Sequence, residues 1–395
     1  MSNVVFTWEL GGGLGHATSL FAVAHGLAAD GHHCSFVLKN VIETEPLWRS
    51  SGFPVYQAPR WIPRPGRRGK RFLARDFTAI LARNGYADRE GLAALLGAWK
   101  NTFALLKPDL VVCDHAPTAA LAARDDHPTI HIGTGFTVPP CDSDAFPLLA
   151  PEADRLYSHD RVLDNVNTVL KTCGCRALPS LPAIYRSEAS FVLTYPQFDP
   201  YACHRTHPAD GPLEVPEMCP EQADADKVFV YLPAEHGQLD SLIEALGRLS
   251  TGGWIYVRNA REDRTRELVK TGLEICRQPQ DLEEIFPHVK AVLHHGGLGM
   301  TTQALLAGRP QVVCPMVLEQ RLNAEAVQKT GSSIRLGGLV PPEKADVAVV
   351  QIVEEPRYRE AAEAWAKKLL AEYSHGSKET VLACCRRVLA GKRPQ

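Results

Sequence analysis

The segment His294-His295-Gly296-Gly297-Leu298-Gly299-Met300-Thr301-Thr302 carries the residue types of an anion site. An apolar strand over 291–294 delivers the chain to it, and a helix over 301–307 leaves it. The unpaired N–H groups and the positive dipole end of that helix attract negative charge. The glycines let a phosphate approach the backbone closely. His295 and the hydroxyls of Thr301 and Thr302 can add hydrogen bonds. A strand-to-helix turn without a ligand would use the same glycines, so the turn by itself leaves both readings open.

Further along, Pro315-Met316-Val317-Leu318-Glu319-Gln320 leaves the strand over 311–314 at its C-terminal end. Open α/β sheets bind ligands at that end. A carboxylate beside an amide suits recognition of neighbouring hydroxyls, as on a sugar ring. Facing a diphosphate directly, Glu319 would be repelled, so it is expected to read the uncharged part of a ligand.

The elements that must hold these residues form two α/β halves. In the first, a strand over 4–7 runs into Gly11-Gly12-Gly13-Leu14-Gly15-His16, and Leu20, Val23, Ala24 and Leu27 then recur at helical spacing until Gly31. Apolar strands follow over 34–38, 110–113 (ending at Asp114) and 129–132. Residues 201–226, rich in Pro, Asp and Glu, read as a linker. The alternation restarts with strands over 228–232, 254–257, 291–294, 311–314 and 333–336, and helices over 239–249, 301–307 and 322–329. Short all-apolar strands alternating with helices imply a parallel sheet covered on both faces. Ala361, Trp365, Leu369 and Tyr373 form a late helical stripe, and Val381, Leu382, Cys385, Val388 and Leu389 a final one.

Composition limits the classes available. A chain of 395 residues is long enough for about two or three domains. Lys and Arg total 43 against 45 Asp and Glu, a net charge of −2, so no general attraction to nucleic acid or membranes follows. No apolar run approaches the ~20 residues that span a bilayer. The N-terminus enters a strand without a basic start, so no secretory signal is expected. Eleven cysteines without a C-x-x-C pair read as reduced thiols of a cytoplasmic protein.

The block from His294 to Gln320, HHGGLGMTTQALLAGRPQVVCPMVLEQ, resembles the donor-binding signature of the family-1 nucleotide-sugar glycosyltransferases of the GT-B fold. Gly308-x-Pro310, Pro315 and Glu319-Gln320 stand at the family's spacing, and the likeness continues through Asn323, Ala324 and Gly331. It implies an α/β architecture of two Rossmann-like, doubly wound parallel-sheet domains facing across a cleft. The expected layout is an acceptor domain over 1–200, a linker over 201–226, a donor domain over 227–372 and a C-terminal helix over 373–395 that packs back on the first domain. By this resemblance His295 contacts the donor phosphates, and Gly296, Gly297, Leu298, Gly299, Met300 and Thr301 lie along the diphosphate. Glu319 and Gln320 match the acid–amide pair that binds sugar hydroxyls, and Pro279-Gln280 the base-binding segment. Gln303 stands where many uridine-diphosphate-sugar enzymes carry a ribose-binding glutamate, and Arg277 where a tryptophan stacks on the base. Thymidine diphosphate, which lacks the 2′-hydroxyl, therefore rivals uridine diphosphate.

The resemblance also assigns the acceptor side. The family's general base closes the first glycine loop and is here His16, with Asp114 matching its partner aspartate and Gly13 and Gly15 lining the approach. An imidazole near neutrality can take the proton of an acceptor hydroxyl, and a carboxylate behind it orients the ring. His115 is a weaker substitute. The implied reaction is an inverting, metal-independent displacement at the anomeric carbon, with a nucleotide sugar as co-substrate and no cofactor. Asp142-Ser143-Asp144 and Asp224-Ala225-Asp226 spell D-x-D but follow no apolar strand, so no metal site is expected there. Arg60, Arg64, Arg67, Arg68, Lys70, Arg71 and Arg75 crowd one acid-free stretch. A solvated loop is one reading. The other is contact through Arg67 and Arg71 with an anionic or membrane-associated acceptor at the inner membrane face. A nucleotide-sugar 2-epimerase and a non-catalytic binding protein of the same fold are the alternatives, and a nucleic-acid partner is not expected.

Overall fold

The computed structural model describes residues 1–62, 72–216, 225–248, 252–262, 266, 268–338 and 340–391. The chain divides into two compact units, Met1–Glu214 with Gly376–Gln395, and Val215–His375.

The first unit is built on a parallel six-stranded sheet. Its strands are β1 Asn3–Trp8, β2 His33–Leu38, β3 Val55–Gln57, β4 Leu110–Asp114, β5 Thr129–Gly133 and β6 Ala189–Val192, in the order β3-β2-β1-β4-β5-β6. Side chains alternate across a strand, so β1 feeds two cores. Val4, Phe6 and Trp8 pack under the helices Gly15–Ala29 and Lys378–Leu389, and Val5 packs on the other face with Trp99 and Phe103 of Arg89–Leu106. Burial on both faces is why the central strands β1 and β4 are largely apolar.

The second unit repeats the plan. Its strands are β7 Lys227–Pro233, β8 Gly253–Arg258, β9 Glu274–Cys276, β10 Val289–His294, β11 Gln311–Val313 and β12 Ser333–Arg335, in the order β12-β11-β10-β7-β8-β9. Val228, Val230 and Leu232 face one core, and Phe229 faces the other with Phe286 and Val292. Each sheet reverses its strand order beside its first strand, between β1 and β4 and between β7 and β10. The C-terminal ends of those pairs are where a doubly wound sheet opens a crevice.

Two sequence readings are revised. Of the stretch 201–226 read as a linker, residues 201–214 belong to the first unit. Tyr201 is fully buried, and Arg205 bonds the buried Asp199 at 2.5 Å and the carbonyls of Gly135 and Val138 at 3.0 and 2.8 Å. The two helices that follow the site loops also start earlier than expected, at Leu298 and Leu318, because each first turn precedes the apolar stripe that marks the helix in sequence.

The C-terminal helix Lys378–Leu389 lies in the first unit. Its Leu382 packs on Gly26, its Arg386 meets Asp30 at 2.7 Å, and Ser377 N–H donates to the Pro212 carbonyl at 2.9 Å. The ten described cysteines are all unpaired thiols. Among the described residues no helix is long and apolar enough to cross a membrane, and no three His, Cys, Asp or Glu side chains converge as metal ligands.

Candidate active site

In the first unit, β1 ends at Trp8 directly beside Asp114, the last residue of β4. The chain then turns through Gly11, whose left-handed φ of +79° suits glycine, and enters the helix Gly15–Ala29 with His16 in its first turn. His16 Nδ1 lies 2.9 Å from Asp114 Oδ1, and both side chains are buried. An ionised carboxylate accepts from Nδ1–H, so the lone pair resides on Nε2, the nitrogen a base uses. That nitrogen lies over Gly11: a β-carbon there would sit 2.7 Å from it. The indole of Trp8 stacks on the same ring at 5.4 Å. Gly13 and Gly15 flank the helix start, half-buried and exposed respectively.

His115 has a different setting. Its φ is +46°, its ring lies 5.6 Å from that of His16, and Phe77 and Phe136 enclose it at 6.0 and 6.3 Å. Both its ring nitrogens are buried and lack a hydrogen-bond partner among the described residues. Burial, reinforced by His16, pushes its pKa well below the usual histidine range. Among the described residues no carboxylate bonds its ring.

In the second unit, β10 delivers His294 and His295 to the glycine turn. His294 belongs to the core: its Nε2 donates to Gln311 Oε1 at 2.8 Å, and its Nδ1 accepts from Gly296 N–H at 3.0 Å. Burial lowers its pKa to about 3, so it stays neutral and braces the turn. Asn323 bonds the Gly296 carbonyl at 3.0 Å from the next helix. Gly296 has φ +88°, and a β-carbon would meet the Gln320 carbonyl at 2.9 Å. The helix Leu298–Leu306 follows, with Thr301 N–H making its first backbone bond to the Gly297 carbonyl at 3.0 Å. The N–H groups of Leu298, Gly299 and Met300 thus form the open helix end, and no acidic residue stands in that turn to compete for them.

His295 lies beside this end with Nε2 toward Gly297, and its ring meets Tyr231 edge-on at 5.0 Å. Burial, then the nearby Arg258 guanidinium, lower its pKa to about 4. At neutral pH it is therefore an uncharged hydrogen-bonding group, and Arg258 supplies the positive charge nearby. His236 and Glu235 also act on it, and His236 Nε2 is fixed by the Cys314 carbonyl at 2.7 Å. Arg258, His236 and Tyr231 were not found from sequence. Arg258 is the last residue of β8, and a charged residue ending an apolar strand is the signal that would have found it.

Three sequence-predicted donor residues are differently engaged than their types suggested. Thr301 is fully buried and its hydroxyl donates to the Gly297 carbonyl at 2.9 Å, so it braces the helix. The Thr302 hydroxyl likewise donates to Leu298. The Gln320 side-chain oxygen accepts from Met316 N–H at 2.8 Å, which commits that atom to the loop entering the helix Leu318–Gln328. Glu319 is half-buried in the same first turn, and Gln303 lies one turn into the preceding helix. Gln280 follows β9, its amide bonded to the Gln278 carbonyl. Arg67 and Arg71 lie outside the described residues, as does Asp224. The described ends of the basic stretch are anchored: Trp61 packs on Gly85 and Gly91, and Arg75 bonds the Ala153 carbonyl at 2.9 Å. A cavity of about 400 Å³ in the first unit is lined by Arg155, Tyr157, Arg161 and Asn165, and by none of the predicted site residues.

Comparison with known proteins bears on this arrangement. Residues 275–382 match the family model described as the erythromycin biosynthesis protein CIII-like C-terminal domain. The chain is 35% identical over 88 residues to the elloramycin glycosyltransferase ElmGT of Streptomyces olivaceus, a stretch covering 22% of each protein. It thus matches about a fifth of that relative's length. Over nearly full length the fold resembles the crystallised glycotransferase of kitacinnamycin (18% identity, 98% of this chain and 99% of that one, TM-score 0.71). It also resembles the glycosyltransferase VinC crystallised with dTDP (15% identity, 98% and 100%, TM-score 0.62). Both six-stranded sheets agree with the structural likenesses, so the chain has the GT-B fold of those glycosyltransferases, and its donor-side segment is similar to that of the glycosyltransferase relatives.

Proposed function

We propose that the chain transfers a sugar from a nucleoside-diphosphate donor to a hydroxyl of a small-molecule acceptor, with inversion at the anomeric carbon. The observation that carries this reading is the His16–Asp114 pair, a base with a committed orienting carboxylate at 2.9 Å. A protein that only binds has no need of it. In the reaction, Nε2 of His16 takes the hydroxyl proton, the acceptor oxygen bonds to the anomeric carbon, and the carbon–phosphate oxygen bond breaks. Asp114 stabilises the imidazolium. The leaving diphosphate gathers its charge against the N–H groups of Leu298, Gly299 and Met300, with His295 donating and Arg258 supplying a cation. Donors placed where charge develops act on the transition state more than on the bound substrate.

Gln303 in place of a ribose-gripping glutamate favours a thymidine over a uridine donor, in line with the dTDP of the VinC crystal. Glu319 and the Nε2 of Gln320 are the groups for the sugar hydroxyls. The basic stretch carrying Arg67 and Arg71 is assigned to an anionic part of the acceptor. Thermal shifts with uridine, thymidine and guanosine diphosphates, followed by product analysis with the matching sugars, test this reading. Release of nucleoside diphosphate on transfer is the expected result. An altered sugar with no nucleotide release would establish the epimerase instead.

A further inference from the structure

His115 is a buried histidine that the transfer chemistry does not use. It follows β4 directly after Asp114, and its left-handed φ of +46° is costly for a residue with a β-carbon. Two other described non-glycine residues share such a φ, and each has a local reason. Lys107 closes the helix Arg89–Leu106, and Asn259 is of a type that tolerates this backbone. His115 is held there by its own carbonyl, which accepts from Leu10 N–H at 2.9 Å and so ties it to the loop that leads to His16.

The ring placed by this backbone is 4% exposed, with both nitrogens buried and without a hydrogen-bond partner among the described residues. Phe77 and Phe136 stand against it, so a phenylalanine would fill the same space and spare the desolvation of two polar atoms. Burial, before the charges of His16 and Lys39, keeps the imidazole neutral, which leaves one nitrogen to donate and the other to accept. Its Nδ1 lies over Gly11, 3.0 Å from where a β-carbon would stand, and His16 Nε2 lies 2.7 Å from the same point. Lys39 fixes Gly11 from the other side by donating its ammonium to the Gly11 carbonyl. The two imidazoles, 5.6 Å apart, thus converge on one spot that a glycine keeps open. A molecule that reaches the 8%-exposed His16 therefore arrives at His115 as well.

We propose that His115 is an acceptor-binding residue: its imidazole bonds an oxygen next to the hydroxyl that His16 deprotonates. The site is then built for acceptors carrying oxygens on two neighbouring carbons, as in a catechol or a vicinal diol. The proposal rests on the reading of His16 as the base. An acceptor with a lone hydroxyl leaves the buried nitrogens unpaired, and a site shaped to bond a second hydroxyl rejects the analogue that lacks it.

The aromatic neighbours make 2,3-dihydroxynaphthalene and 2-naphthol suitable probes, used in anaerobic buffer with the full chain labelled with ¹⁵N-histidine. The His115 ring signals are assigned by their absence in His115→Asn, whose side chain suits a left-handed backbone. The diol should move these signals and the naphthol should leave them in place, and calorimetry should find the diol bound about tenfold more tightly. His115→Phe keeps the shape of the ring without its nitrogens and should bring the two affinities within about twofold, with circular dichroism melts confirming that it folds. The parent's ring signals decide the question even if it does not. His115 signals unmoved by the diol, equal shifts with both probes, or a diol preference that survives in folded His115→Phe overturns the proposal. Undiminished glycosylation of the diol by His16→Ala would instead overturn the reading of the base, so the two failures are distinguishable.

Discussion

His16 and Asp114, 98 positions apart, meet with Nδ1 and Oδ1 at 2.9 Å because β1 and β4 are neighbours and both residues lie beyond or at the C-terminal ends of these strands, Asp114 closing β4 and His16 opening the helix after β1. The second sheet repeats this placement, with His294 at the end of β10 in register with Tyr231 of β7 and His295 next along the chain. One topology thus places a histidine–carboxylate pair in one unit and an open helix end in the other.

Asp114→Asn retains a hydrogen-bonding side chain but removes the charge that favours the imidazolium. Transfer should slow by about 10²- to 10⁴-fold, the usual worth of positioned base catalysis, while calorimetry finds the nucleoside-diphosphate affinity within about twofold of the parent. Equal losses in rate and nucleotide affinity would contradict the division of labour.

Gly299 separates stability from binding. It lies in the helix start with open space where a β-carbon would stand, so Gly299→Ala should stabilise the fold by about 0.5–1 kcal/mol. The same methyl stands where the diphosphate is proposed to lie, and nucleotide affinity should drop. Gly296→Ala should lose both, since its φ of +88° and the Gln320 carbonyl exclude a side chain. Thermal melts with and without nucleotide read all three proteins.

Buried histidines set the response to acid. Burial holds the His131 pKa at about 4, below its ordinary 6.5, so the unfolded chain binds a proton the native one refuses. Its stabilising share is present above pH 6.5 and lost as pH falls toward 4, on the order of 3 kcal/mol. His131→Gln should flatten that part of the melting-temperature profile between pH 6.5 and 4.

Glu9 runs the other way. Its native pKa of about 7 exceeds its ordinary 4.5, so its contribution to stability falls as pH rises through that window. Relative to the parent, Glu9→Gln should gain on the order of 3 kcal/mol between pH 4.5 and pH 8. An unchanged difference across that range would show that Glu9 titrates normally.

Leu382 is buried against Gly26 in the core beneath β1. Leu382→Ala should cost about 2–5 kcal/mol and lower the melting temperature. A surface role for the C-terminal helix would instead leave the melt unchanged.

Nine of the twelve strands were legible because burial on two faces writes them as short apolar runs, whereas the edge strands β3, β6 and β9 are short and partly exposed and carry no such run. The turns at 11–16 and 294–302 were legible through their glycines. Strand order was not, since no local pattern records that β7 lies between β10 and β8, and so Arg258, Tyr231 and His236 went unnoticed beside His295. The pairing of His16 with Asp114 came from resemblance, because nothing in either local segment points to a residue so distant. Residues 201–214 look like a linker because Pro and Asp break periodicity, yet the buried Asp199–Arg205 pair and Tyr201 hold them to the first unit. Hydroxyls such as that of Thr301 read as ligand donors until the helix geometry shows them bonded to their own backbone.

The most direct test of the account is a crystal structure of the chain with thymidine or uridine diphosphate bound. The account predicts both phosphates within hydrogen-bond distance of the Leu298 and Gly299 N–H groups, with His295 Nε2 donating to one of them. Phosphates bound elsewhere, or a helix end at Leu298 left empty at millimolar nucleotide, would contradict it.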